Sequence, residues 1–211
     1  MKYEAYYSNP STAKALFCLF IALTLGGCAF VHKPVSADAY DFGPEPSVKT
    51  PASAAAELPS LALAEVDTSQ ALDGHGMLYR LDYADAQQLR PYAHARWSAP
   101  PAQLVRQRLR EVLGQQRTVV DADTSTVPLL LRIHLQEFSQ QFASPTQSSG
   151  VIRLLATLSR MTPAGELPVA QRTVEVRRPA PSADASGGVQ ALTAATDAAA
   201  QELARWLAPL R

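Results

Sequence analysis

Two cysteines, four histidines, 19 Lys plus Arg and 19 Asp plus Glu are the groups with which this 211-residue chain could do chemistry. Few of them stand in reactive patterns. The sequence has no Gly-x-Ser-x-Gly elbow, no His-Glu-x-x-His, no Walker loop and no cysteine pair spaced for zinc or redox work. His75 lies in Asp73-Gly74-His75-Gly76, where an imidazole beside a carboxylate could act as a base, but the glycines read as a turn. His134 shares an alternating face with Arg132 and Gln136, the place of a partly solvated sheet histidine, and His94 has no acidic neighbour in sequence. No catalytic residue, metal ligand or bound cofactor is expected. Cys28 is different. It follows Leu25-Gly26-Gly27, where a short run of small residues ends an apolar stretch.

The segment that would present Cys28 is legible as an export signal. Lys14 precedes an apolar run from Leu16 to Leu25 (LFCLFIALTL). Such a run is too short to span about 30 Å of hydrocarbon, which needs roughly 20 residues, but suits the core of a secretory signal. Leu25-Gly26-Gly27-Cys28 resembles the lipobox of bacterial lipoproteins, which implies a diacylglyceryl group on Cys28 and cleavage before it. Residues 1–27 are therefore expected to be removed. Cys18 leaves with them, so no disulfide can form within the remaining chain although the compartment permits one. Ala29, not Asp, follows Cys28; by the sorting rule for such proteins this points to the outer membrane, facing the periplasm.

Residues 28–59 read as a tether. Pro34, Pro44, Pro46, Pro51 and Pro59 bias it toward extended conformations, and its apolar content is too low to offset the entropy of ordering. Its reach is at most on the order of 100 Å. Tyr40-Asp41-Phe42-Gly43-Pro44 is the exception, a piece that can dock on the domain in extended form. The whole chain has a formal net charge of +0, which provides no field for a phosphate backbone, so nucleic acid is not expected as a partner.

From residue 60 to 211 the pattern is that of one α+β domain. Leu61 to Val66 reads as a strand with apolar residues on both faces; Met77 to Asp82 and Gln87 to Ala93 read as a hairpin around Tyr83-Ala84-Asp85-Ala86. Ser98, Pro100 and Pro101 open a helix over 99–113, with Leu104, Val105, Leu109, Val112 and Leu113 on one face and Gly114 as its stop. Leu129 to Gln136 and Ile152 to Ser159 alternate as an antiparallel pair separated by a loop over 144–150. A third strand, Leu167 to Arg177, changes phase partway, which a bulge near 170–173 explains. After a turn-rich break from Pro179 to Gly188, an Ala-rich helix runs over 189–207 with a stripe of Val189, Leu192, Ala195, Ala199, Leu203, Trp206 and Leu207. The expected architecture is a mostly antiparallel sheet with both amphipathic helices on one face.

The hairpin is the segment richest in recognition residues. Tyr79, Tyr83, Tyr92 and Trp97 occur there with Arg80, Arg90 and Arg96, residue types enriched at protein interfaces. Tyr79, Arg80, Tyr92 and Trp97 are the candidates for partner contact. The competing reading is that Tyr79, Tyr92 and Trp97 staple the hairpin to the helix.

Tyr40-Asp41-Phe42-Gly43-Pro44 after the lipobox, Met77-Leu78-Tyr79-Arg80, Arg90-Pro91-Tyr92 and Trp97-Ser98-Ala99-Pro100-Pro101 together resemble the auxiliary lipoproteins of ABC-type lipid transport systems, the PqiC-like family. The resemblance extends over essentially the whole chain beyond the signal. It implies a non-enzymatic periplasmic lipoprotein that works with an MCE-domain protein and ABC transporter components in moving lipids between membranes, and it leaves self-association open. It assigns no lipid-contact residue. Two other classes share the tethered small domain: a structural lipoprotein of outer-membrane assembly and a periplasmic hydrolase, the latter requiring polar groups clustered in a pocket.

Overall fold

The computed structural model describes residues 36–44, 58–124 and 127–210. Cys28, the apolar run before it and residues 45–57 lie outside the described residues. In chain order the elements are β1 (Asp38–Tyr40), β2 (Leu61–Thr68), β3 (Gly76–Leu81), β4 (Asp85–Trp97), α1 (Pro101–Gly114), β5 (Val119–Asp121), β6 (Leu129–Ser144), β7 (Gln147–Thr162), β8 (Gly165–Pro179) and α2 (Ala185–Leu207). The fold is α+β, an eight-stranded sheet with both helices on one face.

Alternation with a period of two builds the long antiparallel meander β6-β7-β8. Leu131, Ile133 and Leu135 of β6 and Ile152, Leu154, Ala156 and Leu158 of β7 point into the helix layer and are almost wholly buried. The opposite face is polar and carries cross-strand pairs: Arg132 with Glu166 at 2.9 Å, Arg153 with Glu175 at 2.7 Å and Arg177 with Gln141 at 2.6 Å. The phase change in β8 is a bulge at Val169, since Leu158 faces Ala170 while Ser159 faces Pro168. It lies one residue before the stretch that the sequence indicates.

Both loops flanking the helix layer differ from the sequence reading. Residues 147–150 belong to β7, leaving only Pro145 and Thr146 between β6 and β7, and β6 itself runs eight residues beyond Gln136. The turn-rich stretch also ends earlier, because α2 starts at Ala185, where Asp184 accepts a hydrogen bond from the Gly187 N–H at 2.8 Å. The glycines in these stretches mark close approach instead of turns. A Cβ on Gly150 would stand 2.5 Å from the Leu192 nitrogen, and one on Gly188 would stand 2.0 Å from Gln140 Oε1. Helix α2 thus lies directly on the backbone of β7, with Ala195, Ala199 and Leu203 fully buried and Val189 and Trp206 at the half-buried margins of its stripe.

Besides the β3–β4 hairpin and the meander, four short pairings are parallel: β1 with β4, β2 with β5, β2 with β6 and β3 with β6. The β1–β4 pair brings the 40–44 piece into the domain, as the sequence suggests, and extends it back to Asp38. Phe42 enters the core, with its ring centroid 5.7 Å from Trp97 and 6.0 Å from Phe138. Arg108 of α1, 2% exposed, holds this strap by donating to the Phe42 carbonyl at 3.0 Å and the Gly43 carbonyl at 3.4 Å. Its charge faces Asp197 of α2 and Glu111, each at 3.4 Å. One guanidinium therefore joins the strap and both helices. A second buried arginine, Arg117, donates to the Leu207 carbonyl at 3.1 Å and closes the C-terminal end of α2.

Removing one partner from this cluster leaves a poorly solvated carboxylate behind. Arg108→Leu should destabilise the fold by about 3 kcal/mol, and the double variant Arg108→Leu/Asp197→Leu should recover more than half of that loss. Urea unfolding of the three proteins measures both. A double variant no more stable than the single one would mean that the charge pair is not what joins the strap to the helices.

Candidate partner-binding surface

The hairpin holds its candidate residues by two different kinds of contact. Adjacent residues of a strand point to opposite faces, so Tyr79 and Arg80 of β3 part company. Tyr79 turns toward the helix layer and stacks on Tyr92 of β4, ring centroids 4.7 Å apart at 44°, with Phe142 meeting its edge at 6.0 Å. The Tyr92 hydroxyl donates to Gln140 Oε1 at 2.8 Å, and the Gln140 amide donates to Ser148 Oγ at 2.8 Å. Gln140 is fully buried beneath the start of α2, so this polar chain fixes the hairpin to the end of the helix. Burial, and then the neighbouring Tyr79 and Asp184, push the Tyr92 phenol up from 10.0 to about 12.

Arg80 lies on the helix-free face. Its guanidinium reaches the Ala86 carbonyl at 3.3 Å, the Gln87 carbonyl at 3.4 Å and Glu137 at 3.4 Å, bracing the hairpin against β6. Its side chain keeps 22% exposure, so a partner could still touch it.

Trp97 does not belong to the candidate surface. It is 1% exposed, enclosed by Phe42 and by Phe138 at 5.4 Å, and its backbone N–H donates to the His75 carbonyl at 2.8 Å. The His75 imidazole returns a hydrogen bond from Nδ1 to the Trp97 carbonyl at 3.1 Å, which gives that histidine a structural task at the turn. Trp97 is therefore a core residue: a side chain sealed on all sides offers no contact area to a partner. The hairpin brings Tyr79 and Tyr92 together on the helix side and sets Arg80 on the opposite face, and the exposed Tyr83 lies at its tip.

The chain's other concave features were not signalled by sequence motifs. Clefts of about 210 Å³ and about 500 Å³ flank the 39–43 strap, the first bordered by Arg108 and Glu111 and the second by Thr193 and Asp197. Spacing alone places Arg108 on the helix face next to Leu104 and Leu109, which is the one hint that its charge is buried. Among the described residues, no group of three or more His, Cys, Asp or Glu gathers as a metal site would require.

Residues 40–204 match the family model described as "ABC-type transport auxiliary lipoprotein component". The chain belongs to this family. Two solved structures share the auxiliary component's fold. A DUF330 protein from Xanthomonas campestris is 22% identical, with a TM-score of 0.61 over 72% of this chain and 87% of that one. An uncharacterized protein is 15% identical, with a TM-score of 0.58 over 71% of this chain and 92% of that one. No curated protein matches the chain. The matched region begins inside the strap at Tyr40 and ends at residue 204 in α2, so the hairpin, β2 to β8, α1 and most of α2 fall within one family unit.

The shifted phenol has a consequence for stability. The folded state keeps the Tyr92 proton to higher pH than the unfolded chain, so this contribution is intact below pH 10 and is lost as pH rises through about 12. Tyr92→Phe should remove this alkaline loss. At neutral pH the same variant should cost about 1 kcal/mol through the lost hydrogen bond to Gln140. Denaturant unfolding at a series of pH values from neutral to strongly alkaline reads both effects, and an unchanged alkaline slope in the variant would refute the assignment.

Proposed function

We propose that this chain is a non-enzymatic, lipid-anchored auxiliary component of an ABC/MCE-type lipid transport system, acting by binding partner proteins at the periplasmic face of the outer membrane. The observation that carries the reading is the family match over residues 40–204, together with a chain order of export signal, lipobox cysteine, Pro-rich tether and a single α+β domain. In this reading residues 1–27 are removed and Cys28 carries the acyl chains, the protein's only non-amino-acid group. The Pro-rich stretch 28–59 then serves as the tether between anchor and domain. Two or three acyl chains anchor stably where one is marginal. The MCE-domain protein and the transporter subunits are the partners, and the hairpin residues Tyr79, Arg80 and Tyr92 supply part of the contact. Large side chains held at fixed spacing by a hairpin lose little freedom on association, which favours their use as anchors.

Mass spectrometry of the N-terminal peptide should find diacylglyceryl mass on Cys28, and Cys28→Ala should yield an unlipidated chain released from the membrane fraction. An unmodified Cys28 in the native protein would overturn the anchor. For the partner surface, Tyr79→Ala or Arg80→Ala should weaken capture of the MCE-domain protein by roughly five- to thirtyfold, or about 1 to 2 kcal/mol. Variants that stay folded and bind as well as the parent would remove the hairpin from the interface.

A further inference from the structure

The outer edge of the meander carries chemistry that the fold does not use. Among the described residues β8 pairs with β7 alone, which leaves a strand of 15 residues with one free edge. Such edges are usually blunted by proline, bulges or charge. Here the two ends differ: Pro168 and the bulge at Val169 interrupt the first part, whereas Ala170–Arg178 pairs with β7 in unbroken register.

Beside that regular stretch runs a groove of about 360 Å³, between residues 175–178 of β8 and Ala198, Gln201, Glu202 and Arg205 of α2. Its acidic residues are already engaged, Glu175 with Arg153 and Glu202 with Arg172, both at 2.7 Å. The arginines are not matched in the same way. Arg177 donates to the neutral amide of Gln141, Arg178 to the Arg177 carbonyl, and Arg205 has no acidic partner among the described residues. All three are exposed. A free strand edge and a groove beside it therefore coincide with two cations on the helix side, Arg178 and Arg205, that have no carboxylate partner among the described residues, while Arg177 lies on the strand's other face.

We propose that the 170–178 edge of β8 accepts an extended acidic segment of a partner protein as an added strand. Main-chain hydrogen bonds would supply affinity, and carboxylates on the helix side of the added strand meeting Arg178 and Arg205 would supply selectivity. The occupant is a partner and not a second copy of this chain, because residues 170–178 carry three arginines and one glutamate, so two such edges would bring together segments of like net charge. This inference deepens the partner-binding reading and rests on it, by naming the chemistry of one contacted segment.

The test uses the full chain in detergent and a short fluorescent peptide alternating valine and glutamate, with its valine–glutamine counterpart as control. The acidic peptide should bind more tightly than the neutral one and slow deuterium exchange of the 170–178 amides. Arg178→Ala/Arg205→Ala should weaken it roughly five- to tenfold, since each exposed pair contributes little alone. Equal binding of the two peptides, protection elsewhere than β8, binding only to phosphatidylglycerol vesicles, or self-association through β8 would each overturn the proposal. Capture of the MCE-domain protein by the wild-type chain separates the two readings. If capture persists while the peptide fails, the partner uses another surface; if capture fails while the peptide binds, the transport assignment falls and the edge site stands.

Discussion

One strand constrains the rest of the domain. β6 gives its whole length on one edge to β7, but its other edge is shared, β2 pairing with residues 130–135 and β3 with residues 140–142. Both halves must nevertheless present apolar side chains to the same helix layer. An extra residue at Gln136 resets the phase, so Leu131, Ile133 and Leu135 before it and Phe138 and Phe142 after it are all buried. The β2–β5–α1 portion thereby sits beside one half of β6 and the β1–β3–β4 portion beside the other. Arg108 joins the two portions across the helix layer. The hairpin's position, and with it the candidate surface, follows from that division.

Polar burial serves the same junctions. Gln140, Tyr92 and Ser148 connect the hairpin to β7 under the start of α2, while Arg117 closes the other end of that helix. Arg106 and Arg110 of α1 both bind Asp121 of β5, which holds its carboxyl below the usual range. Buried polar groups placed between elements fix their relative positions as well as their stability.

The periodic elements were legible because their apolar residues recur without interruption. Helix α1, the hairpin, β7 and the phase change in β8 all follow from spacing. The second half of β6 was hidden because the bulge at Gln136 broke the alternation, and because Ser139, Gln140 and Gln141 do not look like core residues. Gly150, Gly187 and Gly188 read as loop when neighbours are considered alone; the close approach of α2 to Gly150 of β7, of Gln140 and Met77 to Gly188, and of Ser182 to Gly187 explains them. The parallel pairings join segments far apart in sequence and leave no local signal. In the candidate surface, Tyr79 and Tyr92 came together as the hairpin required, whereas the fate of Trp97 depended on Phe42 and Phe138, which no spacing connects to it.

Everything proposed about function depends on a protein partner. The measurement that tests this most directly is affinity purification of the wild-type chain from envelope membranes at native abundance, followed by mass spectrometry of the bound proteins. The account predicts that an MCE-domain protein and ABC transporter subunits are recovered together with the acylated chain, in amounts comparable to it. Recovery of the chain alone, or with a barrel assembly complex in their place, would contradict it.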